Sequence, residues 1–154
     1  MAAPNLSYRY PGSRAFEAAE QQLFHGRTQE IKDLFKLVKV ERLVVLFSKS
    51  GMGKSSLLNA GLNPLLQKEY FCPISIRLQN PNISILQTID AALKPYINFQ
   101  KLAEFQANNS PTLWEKLKAC DFGDRITPVL IFDQFEELFS HKQSDRMTFA
   151  EQMG

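Results

Sequence analysis

Leu43-Val44-Val45-Leu46-Phe47-Ser48-Lys49-Ser50-Gly51-Met52-Gly53-Lys54-Ser55-Ser56-Leu57-Leu58 sets an apolar run against a turn of small residues that closes on Gly-Lys-Ser, followed by the start of a helix. A phosphate-binding loop requires that order of parts. A buried strand holds the turn, and Gly51 and Gly53 tolerate backbone angles that aim successive N–H groups at an anion. The helix opening near Lys54 adds its free N-terminal N–H groups and the positive end of its dipole. Ser50, Gly51, Met52 and Gly53 are thus expected to cradle phosphate. Lys54 would reach the β- and γ-phosphates and the Ser55 hydroxyl would ligate Mg²⁺, with Ser56 beside it. Against G-x-x-x-x-G-K-[ST] there is one departure: Ser48 takes the first glycine position and restricts the turn leaving the strand. The alternative is a strand-turn-helix junction with a chance Gly-Lys-Ser.

A phosphate loop needs a metal-holding carboxylate, and Pro128-Val129-Leu130-Ile131-Phe132-Asp133 offers one at the end of a short apolar, β-branched run. At the C-terminal end of a parallel strand, Asp133 would face the crevice where ligands bind in open α/β sheets and could hold Mg²⁺ directly or through water. Glu136 and Glu137 follow within one turn, and either could polarise an attacking water. The plainer reading is that both glutamates favour the start of the next helix.

These residues resemble a family. Ser50 to Leu66 (SGMGKSSLLNAGLNPLL) together with Ile131 to Phe139 (IFDQFEELF) is similar to the NTPase module of STAND proteins, within that class the novel STAND group of switch ATPases related to NACHT proteins. A third match lies upstream, from Tyr10-Pro11-Gly12-Ser13-Arg14-Ala15-Phe16 to Leu23-Phe24-His25-Gly26-Arg27-Thr28. The resemblance covers residues from about 10 to 145. It implies an α/β fold, a three-layer P-loop sandwich with a mainly parallel sheet, binding ATP and Mg²⁺ as a regulatory switch. It also implies that Phe24, Gly26 and Arg27 lie beside the nucleotide base. Physically, Phe24 could stack on adenine, Arg27 could approach base or phosphates, and Thr28 could cap the helix that follows. Alternatively, Phe24 is core and Arg27 is surface.

Length and composition agree with a single compact, soluble domain. The chain has 154 residues, 44% of them hydrophobic and 22% charged, enough for a core of ordinary size. A formal net charge of +2 with scattered Lys and Arg gives no footprint for DNA. Cys72 and Cys120 have neither paired spacing nor histidine companions, since only His25 and His141 are present, so neither a disulfide framework nor structural zinc is expected and a reducing cytoplasm fits. No apolar run approaches a membrane span.

Residues 1–22 read as an N-terminal lead-in segment and residues 23–154 as the NTPase domain. Residues 28–40 carry Ile31, Leu34, Phe35 and Val38 at helical spacing, a stripe expected to pack on a sheet. A first strand over 43–47 follows, then a helix over 54–67 that Gly61 and Pro64 should end or kink. Phe71 to Leu78 alternates from Ile74 onward and predicts a second strand, near an edge because of Pro73. A helix over 82–94 should bury Ile83, Leu86, Ile89 and Leu93. Residues 99–105 read as helical and 107–109 as a turn. Another helix is expected to open at Ser110-Pro111-Thr112-Leu113, with Ser110 as cap and Leu113, Trp114 and Leu117 as its apolar side. Helices over 136–141 and 144–153 close the chain.

The resemblance implies a further strand between the loop strand and the Asp133 strand, arriving later in sequence than the roughly twenty residues after Asp133. A truncated domain is therefore expected, with the two apolar strands pairing directly or facing a gap. Marginal stability and little turnover would follow. An arginine at the γ-phosphate, a winged-helix lid, sensor repeats and self-association on activation are further implications. Two other classes compete: another P-loop enzyme, such as a GTPase or a small-molecule kinase, and a non-catalytic interaction module. The chain has no guanine-reading Asn-Lys-x-Asp.

Overall fold

The computed structural model describes residues 12, 14–105, 111–124 and 126–153. Most of the lead-in before Arg14, the turn at 107–109 and the Ser110 cap lie outside the described residues. The chain divides into two compact units, within residues 1–70 and within 71–154.

The first unit is helical. A 3-10 turn (Ala18–Leu23) is closed by a capping box between Glu17 and Glu20, and α1 (Thr28–Val40) follows. Its apolar stripe is as expected, with Leu34 buried and Ile31, Phe35 and Val38 half-buried. Arg27, not Thr28, occupies the cap position, and Thr28 is already the first helical residue. Instead of a sheet, the stripe meets the helix after the loop. A Cβ added to Gly61 would stand 2.7 Å from Ile31 Cγ1, so this contact exists because position 61 has no side chain.

That second helix does not end at Gly61. It runs as α2 (Lys54–Ser56), a π-helical stretch (Leu57–Leu62) and α3 (Asn63–Lys68). Pro64 has no N–H and its ring would strike the carbonyl four residues back in an α-helix, a conflict worth ~3 kcal/mol. The wider π turn absorbs it: Asn63 N–H reaches back five residues to the Leu58 carbonyl.

The expected strand over 43–47 is absent. These residues pair with no strand among the described residues, and Leu43 and Phe47 are 81% and 86% exposed. An apolar, β-branched run becomes a strand only when a neighbour accepts its ladder and covers a face.

The second unit holds the sheet. The strands β1 (Phe71–Arg77) and β2 (Thr127–Asp133) pair in parallel, from Phe71 opposite Thr127 to Arg77 opposite Asp133. The Asp133 strand thus has β1 as its partner. Ile74, Ile76 and Leu78 are buried and alternate with exposed Ser75 and Arg77. Against that face lies α4 (Ile85–Leu93), burying Ile85, Ile89 and Leu93. The helix starts later than expected because Ser84 accepts from Gln87 N–H and forms a capping box, which leaves Ile83 outside.

Next come α5 (Phe99–Phe105) and α6 (Leu113–Ala119), the latter capped by Thr112 in a box with Glu115. Leu113 is buried, but Trp114 is 60% exposed and lies beneath the Lys118 ammonium at 5.4 Å from the ring centre, which corrects its place in the apolar side. After β2 the chain makes the expected helices, the first a 3-10 helix (Phe135–Ser140) and the second α7 (Gln143–Met153). Phe149 of α7 enters the core, and Gln152 Oε1 accepts from Leu113 N–H at 2.8 Å, tying α7 to α6. The architecture is α/β, with a small two-stranded parallel sheet and mostly helices.

Candidate functional site

In the first unit, the turn between residues 48 and 54 has the shape that its glycines permit. Gly51 and Gly53 both lie in the left-handed region, at φ +79° and +76°. An L side chain is strained there, so the alternation of small residues is a backbone requirement. A Cβ on Gly51 would meet nothing within 4 Å, so it is the backbone angle and not crowding that calls for glycine there. Met52 N–H donates to the Lys49 carbonyl at 3.4 Å, and Gly53 caps the helix that starts at Lys54. The Lys54 ammonium folds back to donate to the Ser48 carbonyl at 3.0 Å. N–H groups at the helix start, an ammonium and hydroxyl side chains form a donor set suited to an anion such as phosphate.

Two neighbours brace this turn. Arg27 donates from Nη1 to the Met52 carbonyl at 3.2 Å, while its Nε lies 2.7 Å from Glu30 Oε1. Arg27 is therefore attached to the loop backbone. Ser56 is buried, and its Oγ accepts from Phe16 N–H at 3.1 Å, fastening residues ahead of α1 to the helix after the loop. Phe24 is half-buried against Phe16, with ring centres 5.6 Å apart, and Gly26 turns the chain at φ +83° into Arg27. Ser50 and Met52 are exposed, and Ser55 is half-buried on the first helical turn. Arg27, Met52, Gly53 and Lys54 are thus brought into one cluster, with Phe24 and Ser56 in the packing beneath.

In the second unit, Asp133 ends β2 and is half-buried, opposite Arg77 at the end of β1. The next residue, Gln134, takes φ 57° and ψ 50°, a left-handed conformation unusual for a residue with a long side chain. This sharp exit from the strand places Glu136 and Glu137 in the first turn of the 3-10 helix. Glu136 is exposed. Glu137 is half-buried, and its Oε2 has no hydrogen-bond partner among the described residues. Sequence reasoning missed Arg77, whose guanidinium Nη2 donates to Gln134 Oε1. The one available signal was a cation closing an otherwise apolar alternation, opposite an expected metal ligand. His141 was also passed over: it is 3% exposed, and its Nε2 lies 3.0 Å from the Leu78 carbonyl, joining the 3-10 helix to the end of β1.

Among the described residues, no group of three or more His, Cys, Asp or Glu is arranged to hold a metal. Mg²⁺ bound with a nucleotide needs only one or two protein oxygens, because phosphates and waters complete its shell. The Ser55 hydroxyl in the first unit and the Asp133 carboxylate in the second are each, by type, hard oxygens of the kind Mg²⁺ takes.

A family model described as Novel STAND NTPase 1 matches residues 10–154. No curated protein and no solved structure matches the chain.

Proposed function

Since the chain belongs to the Novel STAND NTPase 1 family, we propose that it is an ATP- and Mg²⁺-binding switch module built on an incomplete three-layer P-loop sandwich. The observation that carries this reading is the left-handed pair Gly51 and Gly53 leading into Lys54, whose ammonium rests on the Ser48 carbonyl. A phosphate oxygen competes well for that ammonium, since it carries net negative charge where the carbonyl carries only a partial one.

The roles follow from each residue's chemistry. N–H groups from Ser50 to Ser55 surround the phosphates, and Lys54 neutralises their charge. Arg27 acts through the loop, by fixing the Met52 carbonyl, and Phe24 and Gly26 shape the ground on which the base lies. Ser56 acts structurally through Phe16. Ser55 and Asp133 are the metal ligands, and Glu136 or Glu137 orients the attacking water. Mg²⁺, when bound, neutralises charge on the β- and γ-phosphates.

In this reading residues 1–22 lead into the domain of residues 23–154. Turnover depends on further elements of the family: an arginine at the γ-phosphate, a winged-helix lid and sensor repeats. Nucleotide state then governs self-association in the cytoplasm, and loss of γ-phosphate contacts resets the switch. Among the described residues no helix is long and apolar enough to cross a membrane.

Competition of ATP and GTP for a fluorescent ATP analogue, with and without Mg²⁺, tests the reading. ATP is expected to displace the analogue better than GTP, and Asp133→Asn should abolish the gain in affinity from Mg²⁺. Equal displacement by both nucleotides favours another P-loop class, and no binding of the analogue favours a non-catalytic module.

A further inference from the structure

We propose that Arg77 is a positioning residue that latches the exit of β2, setting Asp133 and the glutamates after it for Mg²⁺; this rests on the nucleotide-binding reading above. Three observations converge on it. Arg77 and Asp133 are register partners at the C-terminal ends of the parallel strands. Gln134, directly after Asp133, is held in the left-handed region, where a residue with a Cβ persists only if its surroundings impose it. The imposing contact is the hydrogen bond from Arg77 Nη2 to Gln134 Oε1.

The guanidinium is itself oriented. The Gln79 amide, turned so that its oxygen faces Arg77, accepts from Nε and Nη1 at 3.2 and 3.1 Å. A planar cation anchored on one edge and donating from the other fixes direction as well as distance, which a lysine does not. The latch then sets the next turn: Glu137 N–H donates to the Gln134 carbonyl at 2.9 Å, so the placement of Glu136 and Glu137 depends on the conformation that Arg77 holds. A partner that orients a metal ligand without touching the metal alters affinity by about 10–100-fold when removed.

The test has a ligand-free arm and a metal arm, on wild type, Arg77→Ala, Gln134→Gly and the double variant. Without ligand, hydrogen exchange at the Glu137 amide should quicken at least ~10-fold in Arg77→Ala while the β1–β2 ladder amides keep their rates. On the Gln134→Gly background, where glycine accepts the left-handed conformation and the acceptor is gone, Arg77→Ala should add nothing. With ATP present, the Mg²⁺ concentration for half-saturation should rise ~10-fold in Arg77→Ala, while metal-free ATP binding stays at the wild-type value. Unchanged Glu137 exchange, or an equal effect on the glycine background, overturns the latch whatever the metal arm shows. Altered exchange with unchanged Mg²⁺ dependence overturns its role toward the metal. Wild type that binds ATP with no Mg²⁺ dependence, or does not bind it, overturns the parent reading and that role with it, while the exchange result still reports the latch.

Discussion

Arg27 Nη1 donates to the Met52 carbonyl at 3.2 Å, so the residue directly ahead of α1 braces the turn between residues 48 and 54. One such hydrogen bond stabilises by about 0.5–1.5 kcal/mol. Arg27→Ala is therefore expected to weaken ATP binding roughly 3–10-fold with little change in melting temperature, because the contact is exposed. Calorimetric titration measures it. A loss of all binding would place Arg27 on the nucleotide, and no change would remove the brace.

Gly61 carries the close approach of α1 to the π-helical stretch. A Cβ there would lie 2.7 Å from Ile31 Cγ1 and 2.8 Å from its Cδ1. Gly61→Ala should destabilise the chain by about 1–3 kcal/mol, the usual range for overpacking, despite alanine's better helix propensity. Ile31→Ala in the same chain should recover part of the loss. Urea denaturation with a constant slope reads both, and a stabilised Gly61→Ala would contradict the contact.

Phe47 stands 86% exposed in a segment that has no strand partner among the described residues. Phe47→Ser should change stability by no more than ~0.5 kcal/mol, as exposed substitutions do, while reducing self-association seen by light scattering. A loss of ~3 kcal/mol or more, the cost of removing a core phenylalanine, would show that residues 43–47 are buried in solution.

The two thiols differ in environment. Cys120 is buried, donates from Sγ to the Lys116 carbonyl at 3.2 Å, and burial pushes its thiol above the ordinary range, whereas Cys72 is half-buried. Since the thiolate is the reactive form, a raised pKa lowers its fraction at any pH below that value. At pH 8, Cys72 should alkylate first and Cys120 only on unfolding, read by mass spectrometry. Faster labelling of Cys120 would contradict its burial.

Local signals in the sequence carried a good part of this molecule. The Ile31–Val38 stripe, the alternation from Ile74 to Leu78 and the apolar approach to Asp133 each state a period, and each became its element. Residues 43–47 failed because their apolar character specifies burial but not the partner that supplies it, and strand pairing is non-local. Pro64 was legible as a breaker, yet widening one turn was open to the helix and kept it running to Lys68. Trp114 was misread because its helical spacing does not say which side of a broad apolar face meets the core. In the site, the glycine geometry was legible from residue type alone. The Arg77 latch was not, since it joins residues 57 positions apart.

In the proposed function the loop from Ser48 to Ser55 binds a triphosphate through Lys54. Isothermal titration of ATP with Mg²⁺ into wild type and Lys54→Ala tests it most directly, with circular dichroism to confirm that both are equally folded. The expected result is saturable one-to-one binding by wild type and a loss of at least ~100-fold in the variant, in line with removing a charge-assisted contact from the phosphates. Equal affinity in the two proteins would contradict it.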